Sequence, residues 1–295
     1  MLVTEIYNGQ GLGNQLACYV TTRVIAKDLG YEYGIMNSYK FKCNDFIKLD
    51  SGIPVSGGDG PEGGPPTTLP DGIKYYYKEQ WQYYNGANIT IDDPNLNRLP
   101  DNTKIDGIFQ SENKIIHRKK EIKDWLQVLP DKDNFNFADD NTCIINFRGG
   151  EYKAVSGFFL RKQYWEDAIK QMKFINPKMR FVVVTDDPEA AKQFFPDFII
   201  YHGNISDDFT IIKNAKYLIL SNSSFPYFAT LISDRNEYIL APKYWARHNV
   251  SDGYWSCGYN IFRNHTYIDR DGKLFTYDQC VEEFENYKTK TRIYG

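Results

Sequence analysis

Short apolar runs alternate with helical periodicities from the first residues of the chain. Residues 2–7 read as a strand, 16–29 carry an apolar helical pattern closed by Gly30, and 31–35 resume an extended pattern. Strand, glycine loop, helix and strand make one βαβ unit, which predicts a parallel sheet. Residues 51–70 are crowded with Gly and Pro and have no period, so they predict a long surface loop, read as a flap over a cleft. Residues 75–84 are aromatic, 105–110 predict another strand, and 111–126 a charged helix.

The polar stretch 131–141 interrupts the pattern, which sets the expected lobe boundary there: one lobe over 1–135 and a second over 140–275. The second lobe alternates cleanly. Strands are expected at 143–147, 181–185, 198–201, 217–221 and 237–240, and helices at 161–174, 188–194, 207–215 and 225–232. Such repetition with very apolar strands is the mark of a doubly wound sheet buried on both faces. Ligands in such sheets lie beyond the carboxyl ends of the strands. That rule selects the loops 148–157, 186–187, 202–208 and 222–226. A last helical pattern, 277–287 and extending to about 290, is expected to pack back on the first lobe.

Composition narrows the function classes. The chain of 295 residues is 42% apolar and 25% charged with a formal net charge of -3, which fits a soluble globular protein and gives no global field for nucleic acid. Any anion site must be local. Five cysteines, Cys18, Cys43, Cys143, Cys257 and Cys280, are scattered, odd in number and too far apart in sequence for a zinc site, so reduced buried thiols are expected. Residues 1–7 read directly as a strand rather than as a leader, and no apolar run approaches about 20 residues, so the expectation is a cytoplasmic protein without a leader. Aromatic residues make up 16% of the chain. They serve either as core or as rings that stack on sugars.

Arg148 follows an apolar strand and precedes Gly149 and Gly150, so its guanidinium is expected in the crevice, where a planar fork of donors matches phosphate oxygens. The competing reading pairs it with Glu151. Ser221, Asn222, Ser223 and Ser224 stand between a strand and a helix, either as an anion site on free N–H groups or as a plain helix cap. Asp186 and Asp187 read as a cap or as acceptors for a base or ribose. The loop Gly9-Gln10-Gly11-Leu12-Gly13-Asn14-Gln15 lacks the glycine spacing of a dinucleotide fingerprint, which disfavours a nicotinamide enzyme. Asp131/Asp133 and Asp269/Asp271 lie in polar loops and read as solvated pairs, so no metal site is expected. Lys243, Arg247 and His248, near Trp245 and Trp255, read as surface and packing.

Several of these segments, in order, resemble the bacterial and viral-type α-1,2-fucosyltransferases (family 11-like) of the fucosyltransferase superfamily. The glycine loop resembles that family's Gly-Gly-Leu-Gly-Asn-Gln, and Gly107-Ile108-Phe109-Gln110-Ser111-Glu112-Asn113 its Gly-aromatic-Phe-Gln-Ser-Glu-Lys. Asn146-Phe147-Arg148-Gly149-Gly150-Glu151-Tyr152 stands where the family has His-x-Arg-Arg-Gly-Asp-Tyr. Val184-Thr185-Asp186-Asp187 is similar to its Ser-Asp-Asp, and Asp208-Phe209 with Asn222-Ser223-Ser224-Phe225 to its Asp-Leu/Phe helix and Asn-Ser-Ser-Phe turn. The matches span roughly residues 5–232.

The resemblance implies an α/β GT-B fold of two Rossmann-like lobes, with an acceptor lobe first and a donor lobe second. It implies transfer of a sugar from a nucleotide diphosphate to a glycan acceptor, with inversion and without metal or other cofactor. Arg148 would then hold the β-phosphate, Asp187 the base or ribose, and Ser223 and Ser224 the phosphates, with Asn14 and Gln15 facing the reacting sugar or diphosphate. Gly11, Gly13, Asn146, Gly149, Gly150, Asp186, Asp208, Asn222 and Phe225 complete the expected donor site. Glu112 and Glu151 are the motif-borne candidates for the base. Asn146 replaces the family His, Gly149 the second Arg, and Pro226-Tyr227 a Trp-rich pair. These departures keep GDP-fucose and UDP-xylose both in play as donors, and keep open a binding protein that has lost catalysis.

Overall fold

Alternating strands and helices resolve into two parallel sheets in the computed structural model, which describes residues 1–59, 68–84, 87–91, 93–250 and 260–291. The first lobe runs β1 (Leu2–Glu5), α1 (Leu12–Leu29) and β2 (Tyr33–Met36), then an antiparallel ribbon of β3 (Gly57–Asp59) and β4 (Thr68–Pro70). It continues with β5 (Tyr75–Lys78), a second ribbon of β6 (Trp81–Tyr84) and β7 (Ala87–Thr90), β8 (Thr103–Asp106) and α2 (Lys119–Trp125). Its main sheet has the order β2-β1-β8-β5, all parallel.

The second lobe alternates β9 (Thr142–Phe147), α3 (Lys162–Ile175), β10 (Arg180–Thr185), α4 (Pro188–Phe194), β11 (Ile199–Tyr201), α5 (Ile205–Asn214), β12 (Tyr217–Leu220), α6 (Ser224–Ile232) and β13 (Tyr238–Pro242). It ends with β14 (Thr266–Ile268), β15 (Leu274–Phe275) and α7 (Tyr277–Thr291). The sheet order β11-β10-β9-β12-β13-β14-β15 is parallel except for the last pair. β9, flanked by β10 and β12, is buried at all six residues, as the unbroken apolar run Cys143-Ile144-Ile145 requires. Two α/β lobes facing across a cleft are the GT-B arrangement that the motifs imply.

α1 decides how the lobes meet. Thirteen of its 18 residues are buried, and a helix apolar on every side belongs between layers rather than on a surface. Leu16, Tyr19 and Val20 share one continuous apolar core with Phe209 of α5 and Tyr227 and Phe228 of α6, so a single core crosses the lobe boundary. α1 starts at Leu12, four residues before its apolar pattern, because Gly11 is the N-cap and Gly13 lies in the first turn. A Cβ on Gly13 would stand 2.6 Å from the Ser224 carbonyl oxygen. Glycine is needed there for close approach of α1 to α6.

Several expectations are corrected. Residues 111–126 form 3-10 turns at Glu112–Lys114 and Ile116–Arg118 before the short α2, with Glu112 and Asn113 bound to Arg263 of the second lobe. Residues 51–70 carry β3 and β4 at the edges of the expected flap, and 60–67 lie outside the described residues. α7 is tied to the second lobe at Glu283 by Lys243 (2.5 Å) and by the Tyr244 hydroxyl (2.8 Å), and its Cys280 and Phe284 belong to the apolar core that the two lobes share. No helix among the described residues is long and apolar enough to cross a membrane.

The aromatic residues divide between both readings. Phe147 is packed by Phe159, Trp165, Phe194 and Phe195, which is core, whereas Tyr152, Phe158, Phe225 and Trp245 face the cleft. Cys18, Cys43, Cys143 and Cys280 are buried free thiols, and burial pushes Cys43 up to about 12. They are inert packing groups. Cys257 and Trp255 lie outside the described residues.

Candidate functional site

An open parallel sheet whose strands run 3-2-1-4-5-6 binds ligands at its carboxyl edge, where the connections diverge to either side. In the second lobe that point lies between β9 and β12. The loops that follow them, from Arg148 and from Ser221, meet the loops that follow β1 and β8 of the first lobe. Together they enclose a cleft of about 710 Å³. Its first-lobe wall includes Gly11, Gly13, Asn14, Lys42, Ile108 and Gln110. The second-lobe wall includes Asn146, Arg148, Glu151, Asp186, Asp208, Ser223, Ser224 and Phe225.

Arg148 stands at the end of β9 with its fork held on two sides. Nη1 is 2.6 Å from Asp186 Oδ2, Nη2 is 2.9 Å from Glu151 Oε1, and the guanidinium lies 5.4 Å from the Tyr152 ring centre. Asp186 also accepts a hydrogen bond from the Gly149 N–H at 2.9 Å. The pairing with Glu151 is therefore real, and Asp186 adds to it. A guanidinium has five N–H donors, so these two contacts orient Arg148 without exhausting it.

Two helix N-termini open onto the same space. α1 begins at Gly11 with no side-chain cap and no acidic residue in its first turn. α6 begins at Ser223, whose Oγ accepts from the Phe225 N–H at 3.3 Å. Both present the positive end of a helix dipole. Asn14 joins them: its Oδ1 accepts from Ser224 Oγ at 3.0 Å and from Gln110 Nε2 at 2.5 Å. Gln110 is presented by a turn that Glu79 secures, accepting the Ile108 and Phe109 N–H groups at 2.7 and 3.0 Å.

No family model matches this chain. A curated relative, an α-1,2-colitosyltransferase of Escherichia coli, is 23% identical over 171 residues, covering 51% of this chain and 59% of that protein. The chain thus spans less than two thirds of the length of the relative it matches. Among solved structures, a family 9 glycosyl transferase from Veillonella parvula aligns with TM-score 0.49 at 9% identity, over 98% of this chain and 97% of that one. The fucosyltransferase NodZ from Bradyrhizobium aligns with TM-score 0.45 at 13% identity, over 79% of this chain and 92% of that one.

The expected site residues fall into two groups. Gly11, Gly13, Asn14, Asn146, Arg148, Glu151, Asp186, Asp208, Ser223, Ser224 and Phe225 converge on the cleft. The others do not line it. Glu112, one of the two candidate bases, is 2% exposed and paired with Arg263 at 2.9 Å, so it joins the lobes and has no route to an acceptor. Gln15 is 1% exposed and spends its amide on the Lys40 carbonyl and the Lys42 N–H. Asn222 donates to the Phe158 and Trp245 carbonyls. Asp187 caps α4 through the Ala190 N–H, and Lys153, 2.5 Å away, holds its carboxyl below the usual range.

The departures from the family motif have local causes. A Cβ on Gly149 would lie 2.5 Å from Asp187 Cβ, and one on Gly150, at φ 30°, would lie 2.5 Å from Asp186 Oδ2. A second arginine cannot enter at Gly149 without displacing the α4 cap. Asn146, at the family His position, accepts from Ser221 Oγ at 3.0 Å and ties β9 to the loop after β12.

Sequence reasoning missed Lys42 and set Trp245 aside as packing. Trp245 follows β13, so extending the carboxyl-edge rule by one strand would have found it. Lys42 carries no motif. Lys243 and His248 are buried packing groups as expected, and burial lowers His248 to about 4. Among the described residues no cluster of three or more His, Cys, Asp or Glu is placed to hold a metal ion.

Asp208, in the first turn of α5, is raised to about 6, chiefly by burial and opposed by the Gly203 N–H. A carboxyl raised above its unfolded value of about 3.9 binds its proton more tightly in the folded chain. Its contribution to stability is complete below about pH 4 and lost as pH rises through about 6. Asp208→Asn is therefore expected to raise Tm at pH 7.5, with the gain gone at pH 4. Melting curves at the two pH values check the sign, and an unchanged Tm at pH 7.5 would contradict it.

Proposed function

We propose that this chain is a fucosyltransferase-like glycosyltransferase of the α-1,2, family 11-like type. It transfers fucose or a related sugar from a nucleotide diphosphate to a hydroxyl of a glycan, with inversion and without a metal ion. One observation carries this reading: Arg148 and the N-termini of α1 and α6 converge on a single cleft between the carboxyl edges of two parallel sheets. A diphosphate is the ligand such directed donors suit. The colitosyltransferase relative supports the same class of reaction.

In the proposed step the acceptor oxygen bonds to the anomeric carbon from the face opposite the diphosphate. The bond from that carbon to the β-phosphate oxygen breaks, and its electron pair stays on the phosphate. Arg148 and the Ser223–Ser224 helix end stabilise the charge that appears there. The acceptor proton leaves to Glu151, the most solvent-open carboxylate of the cleft. Tyr152, Phe158 and Trp245 supply ring faces for the base or sugar.

Asn146 holds Ser221 where the resembled family has a His, and this favours keeping UDP-xylose beside GDP-fucose as a donor. A panel of GDP-fucose, UDP-xylose and nucleotide-activated colitose, assayed for hydrolysis and transfer in EDTA, tests the reading. Turnover of one donor in EDTA, with product of inverted anomeric configuration, is expected. Turnover lost in EDTA and restored by Mn²⁺ would end metal independence. Nucleotide binding with no turnover of any donor would mark a non-catalytic binding protein.

A further inference from the structure

The cleft's charges do not balance in favour of a diphosphate if Arg148 acts alone. Arg148 already faces two carboxylates, Asp186 and Glu151, and Asp208 adds a third acidic group to the lining. The motif position that would bring a second cation is closed, because Asp187 occupies the space beside Gly149. Among the described residues the other cation lining the cleft is Lys42, contributed by the opposite lobe.

Lys42 is placed by its surroundings. It lies in the loop after β2, between Phe41 and Cys43, which are 5% and 0% exposed and belong to the shared core. With both neighbours turned inward, Lys42 is exposed on the cleft side. Its backbone is clamped by Gln15: Oε1 accepts the Lys42 N–H at 2.9 Å and Nε2 donates to the Lys40 carbonyl at 3.1 Å. Gln15 sits in the first turns of α1, so the clamp fixes Lys42 relative to that helix's N-terminus. Among the described residues the Lys42 ammonium has no carboxylate partner.

We infer that Lys42 is the second diphosphate-binding cation, replacing from the first lobe the charge that Gly149 cannot supply from the second, with Gln15 as its positioning residue. The leaving group is then held between Arg148 on one side and Lys42 on the other. This rests on reading the cleft as the donor site. It adds that phosphate affinity depends on a residue outside the motif loops, and that Gln15 serves the donor indirectly rather than by touching it.

The test uses the full chain and measures binding of GDP against GMP, and of UDP against UMP, by calorimetry, together with kcat and KM on the donor that turns over. Lys42→Met is expected to reduce the diphosphate-over-monophosphate preference and kcat by roughly 10- to 100-fold, the scale of one charge-assisted hydrogen bond. Lys42→Arg should restore part of both, and Gln15→Leu should weaken diphosphate binding in the same direction with monophosphate binding retained. Wild-type diphosphate preference in Lys42→Met would overturn the inference even if transfer activity stands. If the wild-type chain turns over no donor, the catalytic reading fails, and the binding ratios alone still decide Lys42.

Discussion

Arg148→Ala is expected to lower turnover by about 10²- to 10³-fold, the usual effect of removing one preorganised donor from a site of developing negative charge. The loss should fall mainly on kcat, because the charge on the leaving diphosphate grows as the glycosidic bond breaks. The fold should survive. The Arg148 side chain is 32% exposed and Glu151 is 75% exposed, so the ion pairs lost are of the screened kind that contribute about 1 kcal/mol or less. Asp186 keeps its hydrogen bond from the Gly149 N–H. Steady-state kinetics and a melting curve on the same preparation make the check. Wild-type turnover in a folded variant would remove Arg148 from the mechanism.

Gly13→Ala is expected to damage both stability and turnover, because the added methyl group meets the backbone of the facing helix. The added Cβ would lie 2.5 Å from Ser224 Oγ and 2.6 Å from the Ser224 carbonyl oxygen. The hydroxyl can rotate away, but the backbone carbonyl can recede only if α6 moves from α1. Overpacking of this kind costs about 1–3 kcal/mol. The functional cost is larger, because the two helix N-termini and the Asn14–Ser224 hydrogen bond define the cleft. A misplacement of about 1 Å at such a site lowers rates on the order of 10²-fold. The variant should therefore show a lowered Tm and turnover reduced by about two orders of magnitude. Wild-type values for both would show that the helices tolerate separation and that their approach does not set the site.

These two residues show different degrees of legibility. Arg148 could be read from sequence because its signal is local: an apolar strand, then a cation, then glycines, at an edge where parallel sheets bind ligands. Gly13 was legible as a glycine-loop residue, but its reason was not, since the group it makes room for is 211 positions away in sequence. Glu112 was misread for the same cause. Its motif was recognisable, yet its side chain turns to Arg263, a partner from a segment whose pattern gave no warning. Gln15 likewise followed the motif, but its amide holds the loop of Lys42 instead of facing the cleft.

The sequence by itself determined the α/β class, the alternation of the second lobe, and which strand ends carry polar chemistry. Those properties follow from hydrophobic periodicity and strand-end residues, both encoded within short windows. Only the tertiary structure decided which of those residues share one space. It turned Glu112 away, closed Gly149 against a second arginine through Asp187, and brought Lys42 to the cleft opposite Arg148. The physical reason is that a site between two sheets is assembled from segments remote in sequence. Their meeting is set by the packing of α1 against α6, which no local pattern records.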